Sequence, residues 1–149
     1  MSDKLVVLKF GSSVLRTPQH LPDAVHEIYR HVRNGRRVIA VVSAFDGVTN
    51  RLLAEAERFG PTPDPYALAA LISTGEQMAS AQLALALDQF GIPARLIDPR
   101  DLKLTAIGSP GDADLTSLSG DAAAALLSSA QVLVLPGFFA ISLDRKSVV

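Results

Sequence analysis

Apolar positions along this chain follow two rhythms: short unbroken runs, and longer segments with an apolar residue every three or four positions. The first run, 5–8, predicts a strand buried on both faces; it ends in Lys9, followed by Gly11, Ser12 and Ser13. Beyond Pro18 and Pro22, the spacing of Ala24, Val25, Ile28, Tyr29 and Val32 predicts a helix over 23–33 with one apolar face, stopped by Gly35. Residues 37–43, rich in β-branched side chains, predict a second buried strand. A turn at 44–47 leads to a helix over 48–59 with Leu52, Leu53 and Ala56 facing inward. The proline-rich loop 60–65 precedes a long alanine-rich helical segment, 66–90, with an interruption expected near 73–76.

The later elements are shorter. A strand is expected at 94–97, a turn or short helix at 98–103, a strand at 105–107, a loop over 108–114, a helix over 119–128 and a strand at 131–135. The last of these stops at Pro136-Gly137-Phe138-Phe139, read as a tight turn followed by two core aromatics, and the chain closes in a strand-like tail at 147–149. Strands alternating with helices through short loops imply parallel pairing and right-handed crossovers. The expected fold is therefore α/β, a three-layer sandwich with a mainly parallel sheet. Binding residues of such a sheet collect where its strands end.

Composition narrows the classes. The 149 residues suffice for one domain or a large part of one; 48% are hydrophobic and 19% charged, as in a globular chain. A net charge of −1 argues against a surface built for nucleic acid, and the cluster Arg33, Arg36 and Arg37 reads as a solvated helix end. The chain has no cysteine, which excludes disulfides and thiolate metal sites and is compatible with the cytoplasm, the expected location. No apolar run is long enough for a membrane span, the N-terminal residues lack the pattern of a signal peptide, and His20, His26 and His31 lack metal-ligand spacing.

Two stretches carry candidate chemistry. Lys9, Gly11, Ser12 and Ser13 after a strand suit a phosphate: glycine lets the backbone approach, N–H groups and hydroxyls hydrogen-bond the oxygens, and lysine supplies charge. An ordinary Gly-Ser turn with a solvated lysine has the same residues. Ser73 and Glu76 have capping-box spacing, which gives Glu76 a structural role; alternatively it is a carboxylate among apolar neighbours, placed to pair with a substrate ammonium. Neither G-x-G-x-x-G nor G-x-x-x-x-G-K-[ST] occurs.

Three separated segments, VVLKFGSSV, VVSAFDGVTNRLL and LISTGEQMASAQLALAL, together resemble the N-terminal part of aspartokinases of the amino acid kinase family. The resemblance implies the amino acid kinase fold, incomplete at the C-terminus, and an N-terminal amino-acid-binding lobe spanning 1–149, with the adenine site and nucleotide-binding lobe lying elsewhere. It implies transfer of the γ-phosphoryl group of ATP, with Mg2+, to the β-carboxylate of L-aspartate in the biosynthesis of lysine, threonine and methionine, with the fragment alone inactive. Lys9 takes the place of the catalytic lysine; Gly11, Ser12 and Ser13 approach the phosphates; Ser43, Thr49, Glu76, Gly137 and Phe138 line the amino acid site. Some aspartokinases are fused to homoserine dehydrogenase. The first loop is one residue shorter than K-F-G-G-T-S-V, and its K-x-G-S-S form resembles glutamate 5-kinase, an alternative activity. A non-catalytic binding or regulatory fragment is the other alternative, and a homo-oligomer or association through exposed apolar surface is expected.

Overall fold

In a computed structural model, the structure describes residues 4–137, 140–142 and 147–148. Strand β1 (Leu5–Phe10) is followed by a 3-10 turn at Pro18–His20 and helix α1 (Leu21–Val32), then strand β2 (Arg37–Val42). Helix α2 (Val48–Glu57) and helix α3 (Pro65–Gln89) come next, then β3 (Ala94–Leu96) and a 3-10 turn at Pro99–Leu102. Strands β4 (Thr105–Ser109) and β5 (Asp112–Ser117), helix α4 (Gly120–Ser129), β6 (Val132–Pro136), β7 (Ala140–Ser142) and β8 (Ser147–Val148) complete the order.

The main sheet has the order β1-β2-β6-β3, and every pairing in it is parallel, as the strand-helix alternation predicts. Alternate side chains of its inner strands serve opposite layers. Val38, Ala40, Val42, Val132 and Val134 pack with Ile28 of α1 and Leu83 and Leu87 of α3. Leu133 and Leu135, with Ile39 and Val41, pack against Leu127 of α4 and Leu102 of the second 3-10 turn. Those two cores make the helix-sheet-helix sandwich. A second sheet, order β5-β4-β7-β8, adjoins it, with β4 and β5 forming an antiparallel hairpin.

The structure corrects several expectations. Strand β1 is not buried on both faces: it is the edge of the sheet, and the layer built by α4 does not reach it. Leu8 and Phe10 face the α1/α3 core, while Leu5 and Val7 stay 49% and 62% exposed. Tyr29 and Leu53 fall at the margins of their helical faces and face solvent, whereas Ala24, Val25, Ile28, Leu52 and Ala56 are buried as expected. The expected loop over 108–114 is largely hairpin, because Gly108 adopts φ +136 and lets β5 fold back along β4.

Helix α3 runs without interruption through Ser73-Thr74-Gly75-Glu76, so no helix starts there and the capping box does not exist. The cap is Asp64, which accepts from the Ala67 amide at 2.8 Å with Pro65 in the first turn. Ser73 instead donates to the Ala70 carbonyl within the helix. The apolar composition of α3 overrides the local cap signal, because its buried face anchors both α1 and the sheet. Further along, Ser80 is fully buried and its hydroxyl has no hydrogen-bond partner among the described residues, a desolvation cost of about 1–3 kcal/mol.

Two stability measurements follow from this helix. Asp64→Ala is expected to lower unfolding free energy by about 1 kcal/mol and Ser73→Ala to change it by less; the reverse order in chemical denaturation would restore a helix start at Ser73. Ser80→Ala is expected to raise the melting temperature, since it removes an unsatisfied hydroxyl and adds helix propensity, and a lowered one would show that the hydroxyl has a partner.

Candidate functional site

The parallel register of β1, β2 and β6 brings three strand ends to one side of the sheet. Lys9 lies opposite Val41 and Phe10 opposite Val42, and Pro136 pairs with Val42 on the other side. The chain leaving β1 makes a tight turn, with the Val14 and Leu15 amides donating to the Gly11 carbonyl, and buried Leu15 anchors it in the core. The chain leaving β2 carries Ser43, Ala44 and Phe45 inward before Gly47, at φ +74, starts α2. Gly47 provides no side-chain cap to α2, whose first amide, that of Val48, donates to the Phe45 carbonyl at 3.1 Å.

Helix α3 closes the site from below, and Gly75 makes the fit possible. A Cβ built there would meet Val48 Cγ1 at 2.8 Å, Leu52 Cδ1 at 3.2 Å and Ala44 Cβ at 3.3 Å. Only a residue without a side chain lets α2 and its loop lie this close to α3, and the next residue, Glu76, is thereby carried to the loop.

The result is a cavity of about 240 Å3 lined by Ser12, Ser43, Asp46, Thr49, Asn50 and Glu76, with Ala44, Phe45 and Gly47. Four residues singled out in the sequence, Ser12, Ser43, Thr49 and Glu76, therefore meet in one place although they come from three segments. Ser43 and Glu76 are 8% and 6% exposed; Ser12 and Thr49 are open to solvent. Lys9, Gly11 and Ser13 do not line this cavity. Lys9 is exposed near the end of β1, and Gly11 and Ser13 belong to the turn that delivers Ser12. Gly137 follows β6, and its amide donates to the Val42 carbonyl, one residue before Ser43. Phe138 lies outside the described residues. Asp46 and Asn50 are lining residues that the sequence did not single out; both sit inside the segment SAFDGVTN, where Asp46 reads as a simple turn residue.

Chemically, the cavity offers hydroxyls and an amide that can hydrogen-bond a ligand's carboxylate, a buried carboxylate that can pair with an ammonium, and a second carboxylate, Asp46, open to solvent. Beside it, the space next to Gly11 is open: a Cβ there would have Ser13 Oγ, at 4.0 Å, as its nearest neighbour. That opening, with exposed Lys9, Ser12 and Ser13 around it, fits a phosphate group. Among the described residues no three carboxylate or imidazole groups converge to hold a metal. No helix among the described residues is long and apolar enough to cross a membrane.

The family model for the amino acid kinase family matches residues 4–149, nearly the whole chain. The chain belongs to the amino acid kinase family. An aspartokinase of Mycobacterium bovis is 28% identical over 144 residues, which cover 97% of this chain and 34% of that protein. An aspartate kinase of Pseudomonas putida is 29% identical over 134 residues, covering 90% of this chain and 33% of that one. This member of the family thus spans about a third of the length of those relatives. Its fold is that of E. coli aspartokinase III in complex with aspartate and ADP, with a TM-score of 0.84 at 18% identity over 98% of this chain and 43% of that chain. The parallel sheet with helices on both faces is accordingly the amino acid kinase fold.

Gly75→Val tests the packing beneath the cavity. Overpacking of this kind costs about 1–3 kcal/mol, so the melting temperature is expected to fall by several degrees, and an unchanged value would mean that α2 and α3 do not approach closely at Gly75.

Proposed function

We propose that this chain is the N-terminal, amino-acid-binding lobe of an aspartate kinase, which transfers the γ-phosphoryl group of Mg·ATP to the β-carboxylate of L-aspartate when joined to a nucleotide-binding lobe. One observation carries this reading: the hydroxyls of Ser12, Ser43 and Thr49 and the carboxylate of Glu76, drawn from three distant segments, share one cavity beside the open turn at Gly11.

Each group then has a task. A β-carboxylate oxygen of aspartate attacks the γ-phosphorus, and the bond from that phosphorus to the β-phosphate oxygen breaks, releasing ADP and leaving an acyl phosphate. Such a transfer relies on alignment and on offsetting charge on the equatorial oxygens. Ser43 and Thr49 hold the amino acid, Glu76 pairs with its α-ammonium, and Gly137 and Phe138 border it. Lys9 offsets the charge that builds on the transferring group, while Gly11, Ser12 and Ser13 cradle the phosphates.

The exposed apolar side chains of β1, Leu5 and Val7, provide a surface on which the remainder of such a kinase can pack. The activity, its place in the synthesis of the aspartate-derived amino acids, and the inactivity of this chain by itself all belong to this proposal.

Two substitutions in the full-length protein test it. Lys9→Ala is expected to lower kcat by about 100-fold or more with KM for L-aspartate within a few-fold, the signature of a contact made in the transition state. Glu76→Gln is expected to raise KM for L-aspartate by about 10-fold or more. Unchanged turnover in the first removes Lys9 from the chemistry, and a change confined to thermal stability in the second makes Glu76 structural. Offering L-glutamate in place of L-aspartate separates this activity from a glutamate 5-kinase, which would turn over the longer acid faster.

A further inference from the structure

The cavity poses an electrostatic problem for its proposed ligand. Its described lining contains two carboxylates, Asp46 and Glu76, and no lysine or arginine. L-aspartate carries two carboxylates and one ammonium, so it arrives with net negative charge. Glu76 can be matched to the ammonium, but Asp46 then stands as an extra negative charge at the mouth, where it repels the ligand.

Arg16 lies against that residue. Its guanidinium Nη2 is 3.8 Å from Asp46 Oδ2, and its carbonyl accepts a hydrogen bond from the Asp46 amide at 3.0 Å. The backbone bond fixes the turn after β1 to the loop after β2, so the Arg16 side chain lies beside Asp46, which itself lines the cavity. Both are largely exposed, 63% and 61%. Exposed pairs of this kind add little to folding stability, so the pair has scant value as a staple. Its effect is on the local field: with Arg16 present the Asp46 charge is offset by a neighbouring cation, and without Arg16 that offset is lost.

We propose that Arg16 is a specificity-determining residue, whose guanidinium offsets Asp46 and so admits a net-negative dicarboxylic amino acid to the cavity. This rests on the aspartate kinase reading above. It also predicts opposite consequences for the two partners of one ion pair. Removing the cation makes the mouth repulsive to the ligand, and removing the anion leaves Arg16 free to attract it. A mechanical clasp between the two loops would behave otherwise, since breaking it from either side does the same harm.

The experiment measures KM and kcat for L-aspartate in the full-length protein as wild type, Arg16→Gln and Asp46→Asn, at about 50 mM and about 500 mM salt, with melting temperatures confirming that each variant is folded. Arg16→Gln is expected to raise KM about 3- to 10-fold with a smaller change in kcat, Asp46→Asn to lower KM, and both differences to shrink at high salt. Equal increases in KM for the two variants, or no change in Arg16→Gln, overturn the inference and leave the kinase reading standing. A wild-type protein that does not phosphorylate L-aspartate overturns the kinase reading itself, and the role of Arg16 with it.

Discussion

The approach of α2 to α3 at Gly75 is the constraint on which the site depends. The sheet by itself sets only the height of the loops after β1 and β2. The lateral position of the second loop follows from where α2 rests, and α2 can rest against α3 only because position 75 has no side chain. The neighbouring residue in sequence is the buried carboxylate Glu76. One backbone position therefore governs both the packing of two helices and the distance between the cavity's acid and its hydroxyls. Stability and recognition are coupled here, because any side chain that separated the helices would also open the cavity.

Much of the architecture was legible in the sequence because its signals were redundant. Strand β2 combines β-branched residues with a following turn, and the spacing of Ala24, Val25 and Ile28 gives α1 a clear face; both lie close to their expected bounds. The candidate site was legible in part. Ser12, Ser43, Thr49 and Glu76 could be named from local patterns, whereas their meeting in one cavity depends on the parallel register and on α3. Asp46 and Arg16 gave no local signal, since a turn aspartate and a surface arginine are ordinary until a fold sets them face to face.

The misreadings share a cause, which is that local pattern does not reveal what lies across from it. An apolar run such as Leu5–Leu8 reads alike whether its strand is central or at the edge, and only the sheet order shows that one face of β1 is uncovered. Ser73 and Glu76 have the spacing of a cap, yet the helix extends through them because the residues before Ser73 are as apolar as those after it and Asp64 already supplies the cap. Strand β4 was expected at 105–107, but its hairpin partner β5 escaped notice since Asp112–Ser117 is polar and mostly exposed, with the Thr116 and Ser117 hydroxyls bonded to that of Thr105 where an apolar alternation would be sought.

The loop after β2 is tethered on both sides at its root: the Ser43 amide donates to the Phe10 carbonyl at 3.0 Å, and the Gly137 amide donates to the Val42 carbonyl at 2.9 Å. Backbone held in this way has little conformational entropy left to lose, so a ligand meeting Ser43 meets a group already in place. The ordering cost of binding then falls on the exposed turn at Ser12 and Ser13, which leaves the Ser12 side of the cavity the more adaptable and the Ser43 side preorganised.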